Sequence, residues 1–206
     1  MTRDSRWALL PALLAALWLT MMASGTGWLD RLVLDTVYAG DRPVMRTAAI
    51  AVTRLGEWPV VVAVTIAIGA ALLSRRAPRQ ALLFVAIVLV GRVLVELQKI
   101  GIARLRPEER AYLVAVNSKS FPSGHAGNSM ILLLAVAMVV VPARHRPLAI
   151  AIAVMLSMLI GITRPMLGVH WPSDVIGGWS FGAAWVLTMA GLAERWPFER
   201  SRPPPG

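Results

Sequence analysis

The sequence predicts an all-α fold: a polytopic membrane protein with six transmembrane helices in one bundle and a short interfacial helix after the first span. Three observations carry this expectation. Hydrophobic residues make up 57% of the 206 positions and charged residues only 16%, against roughly 25% charged in soluble domains. The apolar residues are gathered into long runs. Short basic turns separate several of those runs. Mean hydropathy is +0.64.

The first run, Trp7 to Ala23, follows a short polar flank holding Arg3, Asp4 and Arg6. Ala23-Ser24-Gly25 would suit signal cleavage, but the run is long for a signal core and contains Trp7 and Trp18. It therefore reads as a retained first helix. Val44 to Leu55 reads as the interfacial helix, with Arg46 and Arg54 turned to water, or else as an ordered loop over the bundle. Trp58 to Leu73 is the second span, and the basic turn 74–79 leads into the third, Ala81 to Gln98. The third span carries Arg92 and Glu96, four apart and able to meet on one face. That pair reads first as a structural ion pair and second as a functional one. Glu96 is also placed to orient Lys99. The remaining spans are 123–141, 148–162 and 173–192. Residues 193–206 form a charged tail ending in Pro203-Pro204-Pro205-Gly206, expected to be flexible.

Net charge is +10. In a soluble protein this would suggest nucleic-acid binding. Here Arg residues cluster between apolar runs, so topology and anionic headgroups explain them, and no nucleic-acid partner is expected. The face holding both termini has ten Arg crowded into short segments beside helix ends. The positive-inside rule makes that face cytoplasmic. The absence of cysteine excludes a disulfide framework and thiolate metal sites.

On the opposite, extracytoplasmic face stand three polar islands: Lys99 to Arg106-Pro107, Phe121-Pro122-Ser123-Gly124-His125, and Thr163-Arg164 to His170 and Asp174. Together they hold three cations, two histidines and a carboxylate. That inventory suits a tetrahedral oxyanion. Two histidines and an aspartate could bind zinc, but the three cations oppose it, so no metal and no cofactor is expected. Arg104, Arg110 and Lys119 read as headgroup contacts or solvated charges, and His145 as a surface residue on the far side.

In these islands the chain resembles the type 2 phosphatidic acid phosphatase (PAP2) family, in its membrane-bound lipid phosphatase branch. The motifs are Lys99, six residues, Arg106-Pro107; then Pro122-Ser123-Gly124-His125; then Arg164, five residues, His170, three residues, Asp174. Thr163 stands where the family has serine. The resemblance covers most of the chain and implies one domain over residues 1–206, 193–206 being the cytoplasmic tail.

The resemblance implies that His170 is the nucleophile, forming a phosphohistidine, with Asp174 accepting a hydrogen bond from the other ring nitrogen. It implies that His125 is the general acid. Lys99, Arg106 and Arg164 would bind the phosphate. Ser123 and Gly124 would help at a helix start, Ser123 through its hydroxyl and Gly124 through close backbone approach; Ser123 could instead simply cap the helix.

The expected activity is metal-independent hydrolysis of a lipid phosphate or pyrophosphate in a bacterial inner membrane. The substrate reading leans to undecaprenyl pyrophosphate, with phosphatidylglycerol phosphate, phosphatidic acid and lipid A phosphates as alternatives. A lipid phosphoryl transferase and a non-enzymatic lipid transporter or binding protein are the other classes. A vanadate-dependent haloperoxidase is disfavoured for a compact membrane protein. The expected partners are the lipid substrate and membrane lipids, with no obligatory protein.

Overall fold

A computed structural model describes residues 6–24 and 26–195, and among these every regular element is helical. α1 runs Arg6–Ala23, α2 Trp28–Val37, α3 Pro43–Thr53, α4 Trp58–Ser74, α5 Pro78–Ile102, α6 Gly124–Ala135, α7 Arg146–Met166 and α8 Pro172–Arg195. α6 continues through a π-helical turn, Val136–Val140. Five helices (α3, α4, α5, α7 and α8) start with Pro at their first or second position, where its fixed φ and missing N–H cost nothing.

The structure corrects the sequence reading of residues 24–56, where one interfacial helix was expected and two helices form. α2 was missed because Gly25, Gly27 and Gly40 flank it and its ten residues are too few for a clear apolar period. α8 runs to Arg195, so the expected tail begins in helix; its remainder, residues 196–206, lies outside the described residues. The same holds for Arg3 and Asp4.

Three helices, α5, Ala143–Met166 and α8, are each long and apolar enough to cross a membrane. The number rises to five if α1 with α2, and α3 with α4, each count as one bent span. Gly124–Val140 is apolar but shorter. Large apolar side chains face outward along these helices, including Leu13, Ile66, Leu82, Leu89, Val93, Met155 and Leu159. A surface this apolar is matched to lipid.

α8 packs against α1, α5, α6 and α7. Small residues let these helices approach closely. A Cβ on Gly178 would lie 2.7 Å from the Ser123 carbonyl oxygen and 3.0 Å from the Gly127 nitrogen. Several interior polar groups are paired between helices. Ser129 and Ser157 share a hydrogen bond of 2.9 Å. Trp179 Nε1 donates to the Ser157 carbonyl at 3.0 Å, and Trp185 Nε1 to that of Ile87 at 2.8 Å. These contacts set the C-terminal ends of α5 and α7 and the N-terminal ends of α6 and α8 around one point.

The Gly178 contact can be tested directly. Gly178→Ala forces α6 and α8 apart and should lower the melting temperature in detergent, by about 1–3 kcal/mol of overpacking. Gly101→Ala, where an added Cβ meets nothing within 4 Å, should leave the melting temperature unchanged or raise it.

Candidate active site

Each polar island is delivered by a chain reversal at a helix end. Ala103 closes α5 in the left-handed region (φ 54°, ψ 25°), its N–H bonding the Lys99 carbonyl. The chain then turns back, and Arg104 and Arg106 point into the bundle. α6 begins at Gly124, with Ser123 N donating to the Asp174 carbonyl at 2.9 Å. α7 and α8 are joined by residues 167–171, which include Gly168 at φ +74° and carry His170.

A cavity of about 200 Å³ lies among these ends. Lys99, Arg106, Gly124, His125, Arg164 and His170 all line it. So do Arg92, Glu96, Ser118, Asn128 and Trp58. Six of the eight expected site residues therefore meet at one cavity. The seventh, Asp174, is buried behind His170 with Oδ2 3.4 Å from Nδ1. The eighth, Ser123, is fully buried with no hydrogen-bond partner for its hydroxyl and lines no part of the cavity.

The hydrogen bonds assign the tautomer of His170. Arg106 Nη1 lies 3.1 Å from Nε2, and a guanidinium can only donate. Nε2 therefore holds the lone pair, and the proton sits on Nδ1, facing Asp174. Burial, followed by the charges of Arg106, Arg164 and Lys99, pushes His170 well below the usual 6.5. The ring is thus neutral, with its lone pair on Nε2, where it accepts from Arg106.

Arg106 is itself fixed by carbonyls. Nε donates to Ser118 O at 2.7 Å, Nη1 to Val169 O, and Nη2 to Lys119 O at 3.4 Å. Arg164 Nη1 donates to Thr53 Oγ1 at 2.7 Å. Lys99 Nζ reaches Glu96 Oε1 at 3.4 Å, as expected, and Ser118 Oγ at 3.3 Å. Arg92 and Glu96 are paired at 3.6 Å.

The sequence reading of Arg104 is corrected. It is neither solvated nor a headgroup contact: its side chain is 9% exposed. Nη1 donates to Asp174 Oδ1 at 3.0 Å and to Ser173 Oγ at 3.1 Å. Nη2 donates to the carbonyls of Met21 and Met22, both at 2.8 Å. The guanidinium also stacks 4.4 Å from the centroid of Phe121. Asp174 Oδ2 further accepts from Ser120 Oγ at 2.5 Å and from Trp171 N at 2.9 Å. Asp30 of α2, also unforeseen, accepts from Ser173 N at 2.8 Å and Ser173 Oγ at 2.5 Å, capping the first turn of α8. Nothing in local spacing marks Arg104, Ser120 or Asp30; their side-chain partners are 50 to 143 positions away. Arg110 is exposed and pairs with Asp35 at 2.9 Å. His145 is exposed at the start of α7, at the opposite end of that helix from Arg164.

The PAP2 superfamily profile matches residues 80–197, the segment that builds all three islands. The chain belongs to the PAP2 superfamily. Among its PAP2 relatives, phosphatidylglycerophosphatase B of Bacillus subtilis is 31% identical over 159 residues, covering 75% of this chain and 78% of the relative. Decaprenylphosphoryl-5-phosphoribose phosphatase of Mycobacterium tuberculosis is 32% identical over 69% of this chain and 77% of its own. Lipid A 1-phosphatase of Rhizobium johnstonii is 38% identical over 53% of this chain and 46% of its own. The crystal structure of a transmembrane PAP2-type phosphatidylglycerolphosphate phosphatase from Bacillus subtilis superposes with a TM-score of 0.83 at 28% identity, covering 93% of this chain and 98% of that one. This PAP2 chain is a multi-pass membrane protein and a hydrolase of the lipid phosphatase type.

Arg104 holds Asp174 without lining the cavity that His170 faces, so any role in turnover would run through Asp174. Removing one partner of a buried ion pair typically costs about 3–5 kcal/mol. Arg104→Ala should therefore lower the melting temperature and reduce kcat by about 10²-fold with little change in KM. Arg104→Lys, which keeps the charge but not the fork, should recover stability more than kcat. Phosphate-release kinetics and thermal melting in detergent check both; a wild-type kcat in Arg104→Ala would remove the role.

Proposed function

We propose that this protein hydrolyses a lipid phosphate or pyrophosphate without a metal ion, through a phosphohistidine on His170, at the extracytoplasmic face of a bacterial inner membrane. The observation that carries the reading is the lone pair of His170 Nε2, facing a cavity edged by Lys99, Arg106 and Arg164 while Nδ1 faces Asp174.

In the first step Nε2 attacks phosphorus, a nitrogen–phosphorus bond forms, and the bond to the leaving oxygen breaks. His125 supplies a proton to that oxygen. The positive charge that develops on the imidazole is balanced by Asp174. In the second step water attacks phosphorus, His125 takes its proton, and the nitrogen–phosphorus bond breaks to release phosphate and neutral His170. A phosphoryl oxygen arriving at Nε2 replaces it as the acceptor for Arg106 Nη1. The three cations then neutralise the equatorial oxygens as charge is redistributed. Ser123 takes no direct part in this scheme. Its backbone bond to Asp174 aligns the start of α6, whose N–H groups favour an anion.

Six spans with both termini cytoplasmic remain the topology we propose, with α1 and α4 to α8 as the spans, α2 and α3 at the interface, and residues 1–206 one domain. The cavity lies at helix ends, so a lipid headgroup reaches it while the chains stay in the bilayer. The relative named phosphatidylglycerophosphatase B supports a phosphatidylglycerol phosphate substrate, and the compact loops on the site's face support undecaprenyl pyrophosphate.

The test is phosphate release by purified protein in detergent with EDTA, against undecaprenyl pyrophosphate, phosphatidylglycerol phosphate, phosphatidic acid and lipid A phosphate. His170→Ala should abolish release, and His125→Ala should lower it by about 10²–10⁴-fold. Release that persists without His170 would remove the nucleophile, and a folded wild-type protein inactive on all four lipids would remove the lipid-hydrolase reading.

A further inference from the structure

We propose that Arg92 and Asn128 form a second anion subsite on the bilayer side of the reacting phosphate. The enzyme would then select lipids with a second phosphate between the reacting one and the hydrocarbon chain. The proposal rests on the lipid-phosphatase reading and deepens it.

Arg92, Glu96 and Lys99 follow one another on one face of α5, and all three line the site cavity. Arg92 stands seven residues before Lys99, about 10 Å of helical rise further into the bilayer. Its guanidinium lies over the ring of Trp58, 3.6 Å from the centroid, with Nη1 3.6 Å from Glu96 Oε1. Lys99 Nζ reaches the same Oε1 at 3.4 Å. Two cations therefore share one carboxylate oxygen, and this face of the cavity keeps one positive charge in excess. A structural ion pair would need Glu96 for Arg92 alone. An unbalanced cation at membrane depth is costly and calls for an anionic partner.

Asn128 is the second observation. It sits one turn further along α6 than Gly124, is only 5% exposed, and lines the same cavity. Its Oδ1 has no hydrogen-bond partner, so no bond from that oxygen fixes the amide, and its NH2 is the end that can donate to an anion. Its Nδ2 faces the bare Cα of Gly124: a Cβ there would lie 3.8 Å from Nδ2 and 3.0 Å from Lys99 Nζ. The amide donor and the ammonium thus converge on one spot, with Arg92 on the bilayer side.

Substrate geometry gives this donor set its occupant. The reacting phosphate meets His170 and the hydrocarbon chain leaves into the bilayer, so the group joining them passes Arg92 and Asn128. In a lipid diphosphate that group is a phosphate bonded through one bridging oxygen. In a phosphodiester headgroup ending in a phosphomonoester it is a phosphate a few atoms further on. In phosphatidic acid it is uncharged glycerol.

The experiment measures kcat/KM of the purified protein for undecaprenyl pyrophosphate, phosphatidylglycerol phosphate and phosphatidic acid. The wild type should prefer at least one two-phosphate lipid over phosphatidic acid by about tenfold or more, the size of a charge-assisted contact. The preferred arm tells whether the second phosphate is bridged directly or lies further along. Arg92→Gln and Asn128→Leu should collapse that ratio, and Arg92→Lys should keep most of it. Equal losses on all lipids, leaving the ratio intact, would reduce Arg92 to a structural pair and overturn the proposal. So would a wild type that prefers phosphatidic acid, although the lipid-phosphatase reading would stand. Binding of methylenebisphosphonate against inorganic phosphate, read from thermal shifts, gives an answer without turnover. Tighter binding of the bisphosphonate that is lost in Arg92→Gln supports the subsite even if no lipid is hydrolysed; equal binding of the two anions by the wild type overturns it.

Discussion

The buried carboxylate of Asp174 is the constraint on which the rest of the site depends. A charge removed from water must be matched by donors or it destabilises the fold. Asp174 meets that demand with Arg104, Ser120, the Trp171 N–H and His170. These donors come from the two ends of the loop joining α5 to α6 and from the loop joining α7 to α8. Arg104 extends the network to the last carbonyls of α1, and Ser173 extends it to Asp30 of α2. One carboxylate thus ties together segments that are remote in sequence, and His170 inherits their rigidity.

Under the proposed phosphohistidine mechanism that rigidity has a chemical use. A nucleophilic imidazole needs its lone pair aimed at phosphorus and its proton on the opposite nitrogen. Arg106 on one side and Asp174 on the other leave a single tautomer that satisfies both. Carbonyls of residues 118, 119 and 169 hold Arg106, so the cation is preorganised before an anion arrives. Little reorganisation is then required at the moment of reaction.

The surrounding helices supply the frame by different physics. Their outer faces are apolar, so burial of apolar surface gives little preference for one helix contact over another in lipid. Close approach at Gly178 and hydrogen bonds such as Ser129 to Ser157 provide that preference instead. The same contacts bring the starts of α6 and α8 into hydrogen-bonding range at Ser123 and Asp174, so bundle packing and site geometry are coupled.

By itself the sequence determined the all-helical character, the long apolar runs and the residues of the three islands. Apolar run length and motif spacing are local properties, readable without knowing where the chain turns. The Glu96 contacts to Arg92 and Lys99 were legible for the same reason, since helical residues three and four apart are neighbours. Only the tertiary structure decided the roles of Arg104, Ser120 and Asp30, the retreat of Ser123 from the cavity, and the folding of residues 28–37 as α2. Each depends on contacts between segments far apart in the chain. The direction taken after Ala103, where α5 ends in a left-handed residue, sends Arg104 inward rather than to water. No pattern within one helix encodes that direction, because the partners that stabilise it belong to other helices.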